Sequence, residues 1–254
     1  DFYSNPRLSP DSEQLCWISW LHPNMPWDNT RLYLASFDEH GRVTEPINIS
    51  DDTAAVCQPV WSPDNSLYFI SDQDNWWNIY CYGDGQFECV YALDAEFAVP
   101  QWSFRELNYA FINDHEMFAI YRQQGIAKLA VIDVRQKNLR HVTLPFTDYE
   151  SICCNDNKAC FIAASPSEFP SVVEYQIGQD EFCYLQKANS LSLDDAYISV
   201  GEPLTFPVDD GDVAHAFFYR PKNKDFDGLD NEKPPLIVIS HGGPTGESHN
   251  GLKM

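Results

Sequence analysis

A short motif built around a tight turn recurs four times in the first 160 residues of the sequence. Two copies read Pro-x-x-Ser-Pro-Asp, a third keeps Pro-x-x-Ser, and a fourth is degenerate; each is followed by a short apolar run. The aligned anchors are positions 9, 62, 103 and 154, so the copies are 53, 41 and 51 residues apart. These spacings are near the length of one four-stranded blade of a β-propeller, about 40–50 residues.

The second half of each repeat has the pattern of β-hairpins. Strand-like runs begin at residues 31, 78, 128 and 172, and each leads into a turn rich in Gly, Asp or Asn. Helical periodicity is nearly absent, and the aromatic fraction of 14% favours strands. We therefore predict an all-β partial propeller of about four blades, each a four-stranded antiparallel sheet. The predicted blades cover residues 1–50, 51–94, 95–146 and 147–190.

The Ser-Pro-Asp turn has a physical role in this pattern. Proline fixes the backbone angle φ, and the Ser or Asp side chain can accept a hydrogen bond from the tight backbone that follows. We therefore expect Ser9 and Ser62 to close equivalent turns between the first two strands of their blades.

The pattern changes after about residue 190. Residues 198–207 are expected to be extended, residues 208–212 to turn, and residues 213–219 to form a buried strand. A polar loop follows, and residues 236–239 form a continuous apolar run of the kind found in covered sheets. We predict that residues 191–254 form a second unit, distinct from the propeller.

The run at residues 236–239 opens into His241-Gly242-Gly243, followed by Pro244. A strand leading into His-Gly-Gly-Pro resembles the oxyanion loop of an α/β hydrolase, where backbone N–H groups stabilise a tetrahedral intermediate. Two glycines suit this role, since they let the backbone approach a substrate closely. His241, Gly242 and Gly243 are therefore candidates for an oxyanion loop, although His241 also fits a structural histidine that ends a strand.

No Gly-x-Ser-x-Gly sequence, the nucleophile elbow of these hydrolases, occurs in the 254 residues. We therefore expect the nucleophile, the acid and the base of a catalytic triad to lie outside this sequence. Residues 191–254 are then interpreted as the N-terminal strands and oxyanion loop of a truncated α/β-hydrolase domain.

Three segments resemble the prolyl oligopeptidase family of serine peptidases, especially its acylaminoacyl-peptidase and dipeptidyl-aminopeptidase branch. They are residues 20–28, the Ser-Asp…Trp-Asn-Ile-Tyr segment at 70–80, and residues 202–245, which include residues 241–244, here called the glycine loop. The resemblance implies a propeller that caps an α/β-hydrolase domain and restricts access to peptides and small acylated substrates. Many family members have Tyr immediately before the glycine pair, where this sequence has His241. Backbone N–H groups of Gly242 and Gly243 are therefore the better oxyanion candidates.

Two functional hypotheses follow. The first is a fragment of a serine peptidase that hydrolyses short peptides or acylated amino acids, with the propeller gating access and the fragment itself inactive. The second is a non-catalytic propeller that binds a partner. A Gly-x-Ser-x-Gly sequence further along the gene, with a later Asp and His, would favour the peptidase.

Composition limits the partners. The net charge of −22 argues against nucleic acid and anionic membranes, both of which require a basic surface. No apolar run approaches the roughly 20 residues of a membrane span. We expect peptide substrates, no cofactor and no metal. Open propeller edges are expected to support homo-oligomer formation.

The eight cysteines form no CxxC pair or zinc-binding spacing. Most lie in strand-like runs, which favours small buried side chains in a reducing cytoplasm. Cys81 and Cys89 flank a Gly-Asp-Gly turn, so a disulfide between them stays an alternative. A cytoplasmic location is expected; periplasmic or secreted locations stay open because the sequence does not begin with Met.

Overall fold

The computed structural model describes residues 1–50, 52–103, 105–243 and 245–252. Phe104 of the third repeat and Pro244 of the glycine loop lie outside the described residues. Four four-stranded antiparallel sheets, each made of strands consecutive in the chain, account for most of the structure. A two-stranded sheet and two short 3₁₀ segments follow them. The predicted all-β partial propeller is therefore confirmed.

The strands of the first two sheets are β1 (Phe2–Leu8), β2 (Gln14–Trp20), β3 (Arg31–Ser36), β4 (Ile47–Asn48), β5 (Val56–Trp61), β6 (Leu67–Ser71), β7 (Asn78–Gly83) and β8 (Gln86–Cys89). Those of the third and fourth are β9 (Tyr109–Phe111), β10 (Glu116–Gln123), β11 (Ile126–Asp133), β12 (Asn138–Val142), β13 (Asp148–Asn155), β14 (Lys158–Ser165), β15 (Glu168–Gln176) and β16 (Glu181–Lys187). The hairpin is β17 (Gly201–Pro207) and β18 (Val213–Tyr219).

The first strands of neighbouring sheets lie next to each other, β1 beside β5 and β9 beside β13. This is the arrangement of propeller blades around an axis. The division into separate domains at residue 190 stays a prediction.

Apolar side chains fill the three spaces between successive sheets. Leu32 and Phe69 lie in the first space, Ile70 and Tyr109 in the second, and Phe118 and Phe161 in the third. Burying one such side chain contributes about 1.5–3 kcal/mol. The blades therefore hold together through flat apolar faces, as expected when each blade cannot bury its own surface.

The two complete Ser-Pro-Asp turns have the predicted geometry. The Ser9 hydroxyl donates to Asp11 Oδ1 over 2.6 Å and accepts from the Gln14 amide over 2.9 Å. Ser62 repeats the arrangement, with a hydroxyl bond of 2.5 Å to Asp64 Oδ1. The Asp11 amide also donates to Asn65 Oδ1 over 3.0 Å, which ties the two equivalent turns together.

The first strands of three blades share a feature that the sequence pattern did not reveal. Each contains a β-bulge with a residue at positive φ: Asn5 at 51°, Gln58 at 50° and Ser151 at 54°. Such bulges increase the local twist of a strand. They recur where the strand passes the neighbouring blade.

The structure corrects two expectations for the region after residue 190. β17 and β18 do form the expected hairpin, but β18 is mostly exposed rather than buried, with Val213 58% and Tyr219 48% accessible. Residues 236–239 pair with no described strand and are 76–85% exposed. An apolar run becomes a covered strand only where neighbouring strands and helices bury it. The described residues offer no such neighbours.

All eight cysteines are free thiols. Cys16 and Cys57 are buried, as expected, whereas Cys153 and Cys183 are exposed. Cys81 lies opposite Glu88, and Cys89 lies opposite Tyr80, so the two thiols are not directly paired across the hairpin. Among the described residues, no helix has the length and apolar character needed to cross a membrane.

Candidate functional site

The described residues of the glycine loop are exposed, and the chain folds back toward them at Gly246. His241, Gly242 and Gly243 are all exposed, and Gly243 has φ of 73°. A Cβ added to Gly246 would lie 2.3 Å from the carbonyl oxygen of Gly242, so only glycine fits there without a shift of the backbone. The backbone therefore makes a close turn between Gly242 and Gly246.

The loop presents backbone amides to solvent. In the described part of the chain, no hydrogen bond engages the amides of Gly242 and Gly243. Successive backbone N–H groups in a turn can form a concavity that binds an anion. The assignment of this loop to an oxyanion site stays a prediction, because catalysis also requires a nucleophile.

The chain directly after the loop packs against the propeller. We call residues 245–252 the docking segment. Its first contact is made by Thr245, whose hydroxyl accepts a 3.0 Å hydrogen bond from the Trp102 indole N–H. The Trp102 ring in turn packs against Trp27, with centroids 4.3 Å apart. The connection between β8 and β9 thus contacts the start of the docking segment through Trp102, which Trp27 supports.

An ion-pair cluster forms its second contact. Arg122 at the end of β10 and Asp148 at the start of β13 are each 8% exposed, and Arg122 Nη2 lies 3.1 Å from Asp148 Oδ1. Arg122 Nε lies 2.9 Å from Glu247 Oε1. His249 Nδ1 lies 3.2 Å from Asp148 Oδ1 and 3.4 Å from Arg122 Nη2. We call these four residues the Arg122 cluster.

The end of the docking segment adds backbone and packing contacts. The Leu252 amide donates to the Ser165 carbonyl over 2.9 Å. Asn250 is 7% exposed and donates from Nδ2 to the Gly201 carbonyl over 3.4 Å. A Cβ on Gly201 would lie 2.6 Å from Asn250 Oδ1, and one on Gly251 would lie 3.0 Å from Ala164 Cβ. Both glycines allow this close approach.

Glu96 lies beside the Arg122 cluster. Its backbone exchanges two hydrogen bonds with Arg122, of 2.9 and 2.8 Å. Burial raises the pKa of the Glu96 carboxyl, and the charges of Glu247 and Asp72 raise it further. The Trp77 amide donates to this carboxyl over 3.0 Å, which lowers the pKa by less than burial raises it. The carboxyl groups of Glu96, Asp148 and Glu247 thus lie around the single guanidinium of Arg122.

One group of side chains has the spacing of metal ligands. One ligand atom from each of Asp148, Glu150 and His249 lies within 4.8 Å of the others. However, the guanidinium of Arg122 is hydrogen-bonded to Asp148 and close to His249. A fixed cation already neutralises this position, so the geometry fits an ion-pair cluster better than a metal site.

A second concavity lies on the exposed face of the first sheet. It has a volume of about 380 Å³ and an aromatic lining that includes Tyr3, Trp17, Trp20 and Tyr33. None of its lining residues belongs to the docking segment or the glycine loop. It lies on a blade face of the kind that packs against another blade elsewhere in this structure.

Sequence reasoning found the glycine loop but missed the Arg122 cluster. Arg122 follows the apolar run of β10 as a single charged residue, which is the one local signal of an unusual environment. Its partner Glu247 is 125 residues away in the sequence. No spacing rule connects residues at that distance.

The four stacked sheets define a partial β-propeller, and a two-stranded hairpin and the glycine loop follow it in the chain. No protein-family model and no curated protein matches the chain. Over 99% of its length it is similar to a puromycin hydrolase, with 30% identity, a TM-score of 0.91 and coverage of 38% of that protein. A puromycin-hydrolyzing peptidase from Mycobacterium tuberculosis gives 28% identity and a TM-score of 0.92, covering 99% of this chain and 39% of that protein.

Prolyl oligopeptidase B from Galerina marginata shares the fold, at 14% identity and a TM-score of 0.66, with 87% of this chain and 31% of that protein covered. These similarities confirm the resemblance to the prolyl oligopeptidase family drawn from the sequence, and they cover a portion of the propeller. It spans less than two fifths of the puromycin hydrolases that it matches.

Proposed function

We propose that the chain is part of a serine peptidase that hydrolyses short peptides or acylated amino acids. The propeller limits access to the active site, and the glycine loop supplies oxyanion contacts. The observation that carries the proposal is the docked glycine loop: an exposed pair of glycine amides is held against the propeller by the segment that follows it.

The relatives support this chemistry. Proteins similar in structure include puromycin hydrolases, and one of them was studied as a serine-to-alanine variant in a complex. Puromycin hydrolysis is therefore a specific activity to test for the whole protein that contains this chain. In the triad scheme, Ser attacks the carbonyl, His transfers the proton, and backbone N–H groups stabilise the oxyanion. Residues 241–243 supply only the last of these functions.

The first experiment compares residues 1–254 with the whole protein. Each is incubated with puromycin and with aminoacyl and acylaminoacyl p-nitroanilides, and product release is measured. We expect turnover by the whole protein and none by residues 1–254. Turnover by residues 1–254, or no hydrolysis of any of these substrates by the whole protein, would contradict the proposal.

The second experiment tests the oxyanion role in the whole protein. Gly242→Pro removes the backbone N–H, whereas Gly242→Ala keeps it, and an added Cβ at Gly242 would meet no atom within 4 Å. Loss of one oxyanion donor lowers kcat by about 100- to 1000-fold. We expect a loss of this size in kcat for Gly242→Pro and a much smaller loss for Gly242→Ala. Equal effects of the two substitutions on kcat would argue against an N–H donor at this position.

The alternative function is a non-catalytic binding module. The exposed aromatic concavity of the first sheet favours it, because aromatic surfaces often bind partners. Under this alternative the gene encodes no Gly-x-Ser-x-Gly sequence after the glycine loop. We also propose a cytoplasmic location and peptide substrates, with neither nucleic acid nor membrane as a partner; the charge of −22 supports these exclusions.

A further inference from the structure

The Arg122 cluster joins parts of the molecule that are far apart in the sequence. Arg122 belongs to the third sheet, Asp148 to the fourth, and Glu247 to the docking segment. Arg122 is 8% exposed and bonds both carboxylates with different nitrogen atoms, Nη2 and Nε. A planar guanidinium can hold two partners in fixed directions, which a lysine ammonium cannot.

We propose that Arg122 is a positioning residue for the glycine loop: through Glu247, it fixes the docking segment to the propeller and thereby holds the amides of Gly242 and Gly243 in place. The catalytic meaning of this role rests on the proposed function. The mechanical part of the proposal does not, because it concerns the order of residues 245–252 in this chain.

The distance along the chain supports the coupling. Glu247 is four residues after Gly243, so even a fully extended connection spans at most about 13–14 Å. The chain folds back within this stretch, since a Cβ added to Gly246 would lie 2.3 Å from the Gly242 carbonyl oxygen. Gly246, the residue before Glu247, is therefore in close contact with Gly242, and a displacement of Glu247 is transmitted to the loop through this contact.

The surroundings of Arg122 make its bond to Glu247 more than a surface ion pair. Exposed pairs are screened by salt and contribute little, whereas a buried pair is screened much less. Asp148 and the backbone of Glu96 hold Arg122 from the propeller side. From the docking segment, His249 Nδ1 lies 3.4 Å from Arg122 Nη2, and Glu247, which is 37% exposed, is the carboxylate partner of Arg122. The propeller side is thus preorganised, and Glu247 is the residue whose removal should release the segment.

Thr245 and Leu252 provide contacts on both sides of Glu247. The Thr245 bond comes from Trp102, which is 61% exposed, and the Leu252 bond involves backbone atoms alone. Neither contact carries charge. The ion pair is therefore the contact that can be removed with an isosteric neutral side chain while the rest of the interface is kept.

The test uses hydrogen–deuterium exchange on residues 1–254. Glu247→Gln keeps the size of the side chain and removes its charge, and it leaves Arg122–Asp148 intact. Glu232→Gln is the matched control, because Glu232 is an exposed carboxylate in the preceding loop. We expect at least about tenfold faster exchange in residues 245–252 for Glu247→Gln, with β9 to β16 unchanged. The control should match the unaltered chain.

Arg122→Lys is the second variant. It tests whether the segment requires a guanidinium that binds Asp148 and Glu247 at the same time. It retains the charge, so the protein is expected to fold, but one ammonium cannot reproduce both bonds. The exchange rate of residues 245–252 should then lie between the rates measured for the unaltered chain and for Glu247→Gln. Unchanged exchange of this segment in Glu247→Gln would overturn the proposal. Faster exchange throughout the four sheets would also overturn it, because Glu247 would then stabilise the fold in general.

Activity of the whole protein separates positioning from substrate contact. Misplacing a catalytic group by about 1 Å can cost up to about 100-fold in rate, so Glu247→Gln should lower kcat about 10- to 100-fold. KM should change by less than about twofold, because the substituted group does not bind the substrate. A raised KM with unchanged kcat would overturn the positioning role. If the whole protein hydrolyses none of the substrates, the proposed function fails, while the exchange result still decides the coupling.

Discussion

Gln58 and Asn108 form a reciprocal pair of buried hydrogen bonds between the second and third sheets. Gln58 Nε2 donates to Asn108 Oδ1 over 3.0 Å, and the backbone N–H of Asn108 donates to Gln58 Oε1 over 2.7 Å. The Tyr109 hydroxyl adds a 2.8 Å bond to the Gln58 carbonyl. Gln58 is the bulge residue of β5, so the bulge directs a polar side chain into an otherwise apolar space between blades.

The first prediction concerns this pair. Gln58→Ala leaves the Asn108 amide and Oδ1 buried without their partner, and an unsatisfied buried group costs about 1–3 kcal/mol. We therefore expect the free energy of unfolding to fall by about 2–4 kcal/mol, measured by urea denaturation. Gln86→Ala is the control, since Gln86 is exposed on β8 and should change stability by less than about 0.5 kcal/mol. Equal effects of the two substitutions would contradict the role given to the pair.

The sequence was sufficient to predict the blades because each blade is a local unit. The Ser9 and Ser62 turns and their adjoining strands lie within about 10 residues, so their hydrogen bonds follow from short-range rules. The bulge at Gln58 was not predictable, because Gln is not a residue that favours positive φ. Its conformation is stabilised by Asn108, 50 residues later.

The candidate site also contains residues that the sequence predicts and residues that it does not. Gly242 and Gly243 were found because they are adjacent and their residue types suit a close backbone approach. The Arg122 cluster was missed because its members come from two blades and the docking segment. Residues 236–239 were assigned to a covered strand from hydrophobicity alone. Burial depends on neighbouring elements, which a single apolar run does not specify.

The second prediction concerns the thiols. Burial raises the pKa of Cys16 to about 12 and raises that of Cys57 well above its ordinary value, so neither should form a reactive thiolate near neutral pH. Cys153 and Cys183 are exposed and should react first with Ellman's reagent. After unfolding without reductant, eight thiols should be counted.

Substitution provides the control for this assignment. A variant with both Cys153→Ser and Cys183→Ser should lose the fast phase of the thiol reaction and keep the slow one. A count of six thiols in the unfolded chain would indicate one disulfide. The alternative pair Cys81 and Cys89 would then require mass-spectrometric mapping.

The third prediction concerns pH and Glu96. Burial raises the pKa of this carboxyl in the folded protein above its ordinary value of 4.5. The folded state therefore binds the proton more tightly than the unfolded state does. The resulting stabilisation is complete below the ordinary pKa and is lost as the pH rises through the raised pKa.

Glu96→Gln removes this titration while an amide oxygen can still accept the bond from the Trp77 amide. The difference in unfolding free energy, variant minus unaltered protein, should therefore become more positive between about pH 4 and pH 8. Urea denaturation across this range measures it. Glu39→Gln is the control, because Glu39 is 85% exposed. A difference that stays constant with pH would show that Glu96 does not titrate differently in the two states.

The fourth prediction concerns self-association through the open face of the fourth sheet. β16 is the last strand of that sheet, with Leu185 54% exposed, and neighbouring Val172 of β15 is 38% exposed. An exposed edge strand with apolar side chains promotes pairing with another chain, and lysine on such an edge opposes it. We therefore expect residues 1–254 to form oligomers at high concentration, with Leu185→Lys shifting the population toward monomer.

Gln186→Lys is the matched control, because it adds the same charge to an exposed position of β16 without removing an apolar side chain. Light scattering after size-exclusion chromatography, at several concentrations, measures the mass of each variant. If charge alone opposed association, both substitutions would reduce the mass equally. A monomer at all concentrations for the unaltered chain would exclude association through this face, since the apolar side chains would then be tolerated in water.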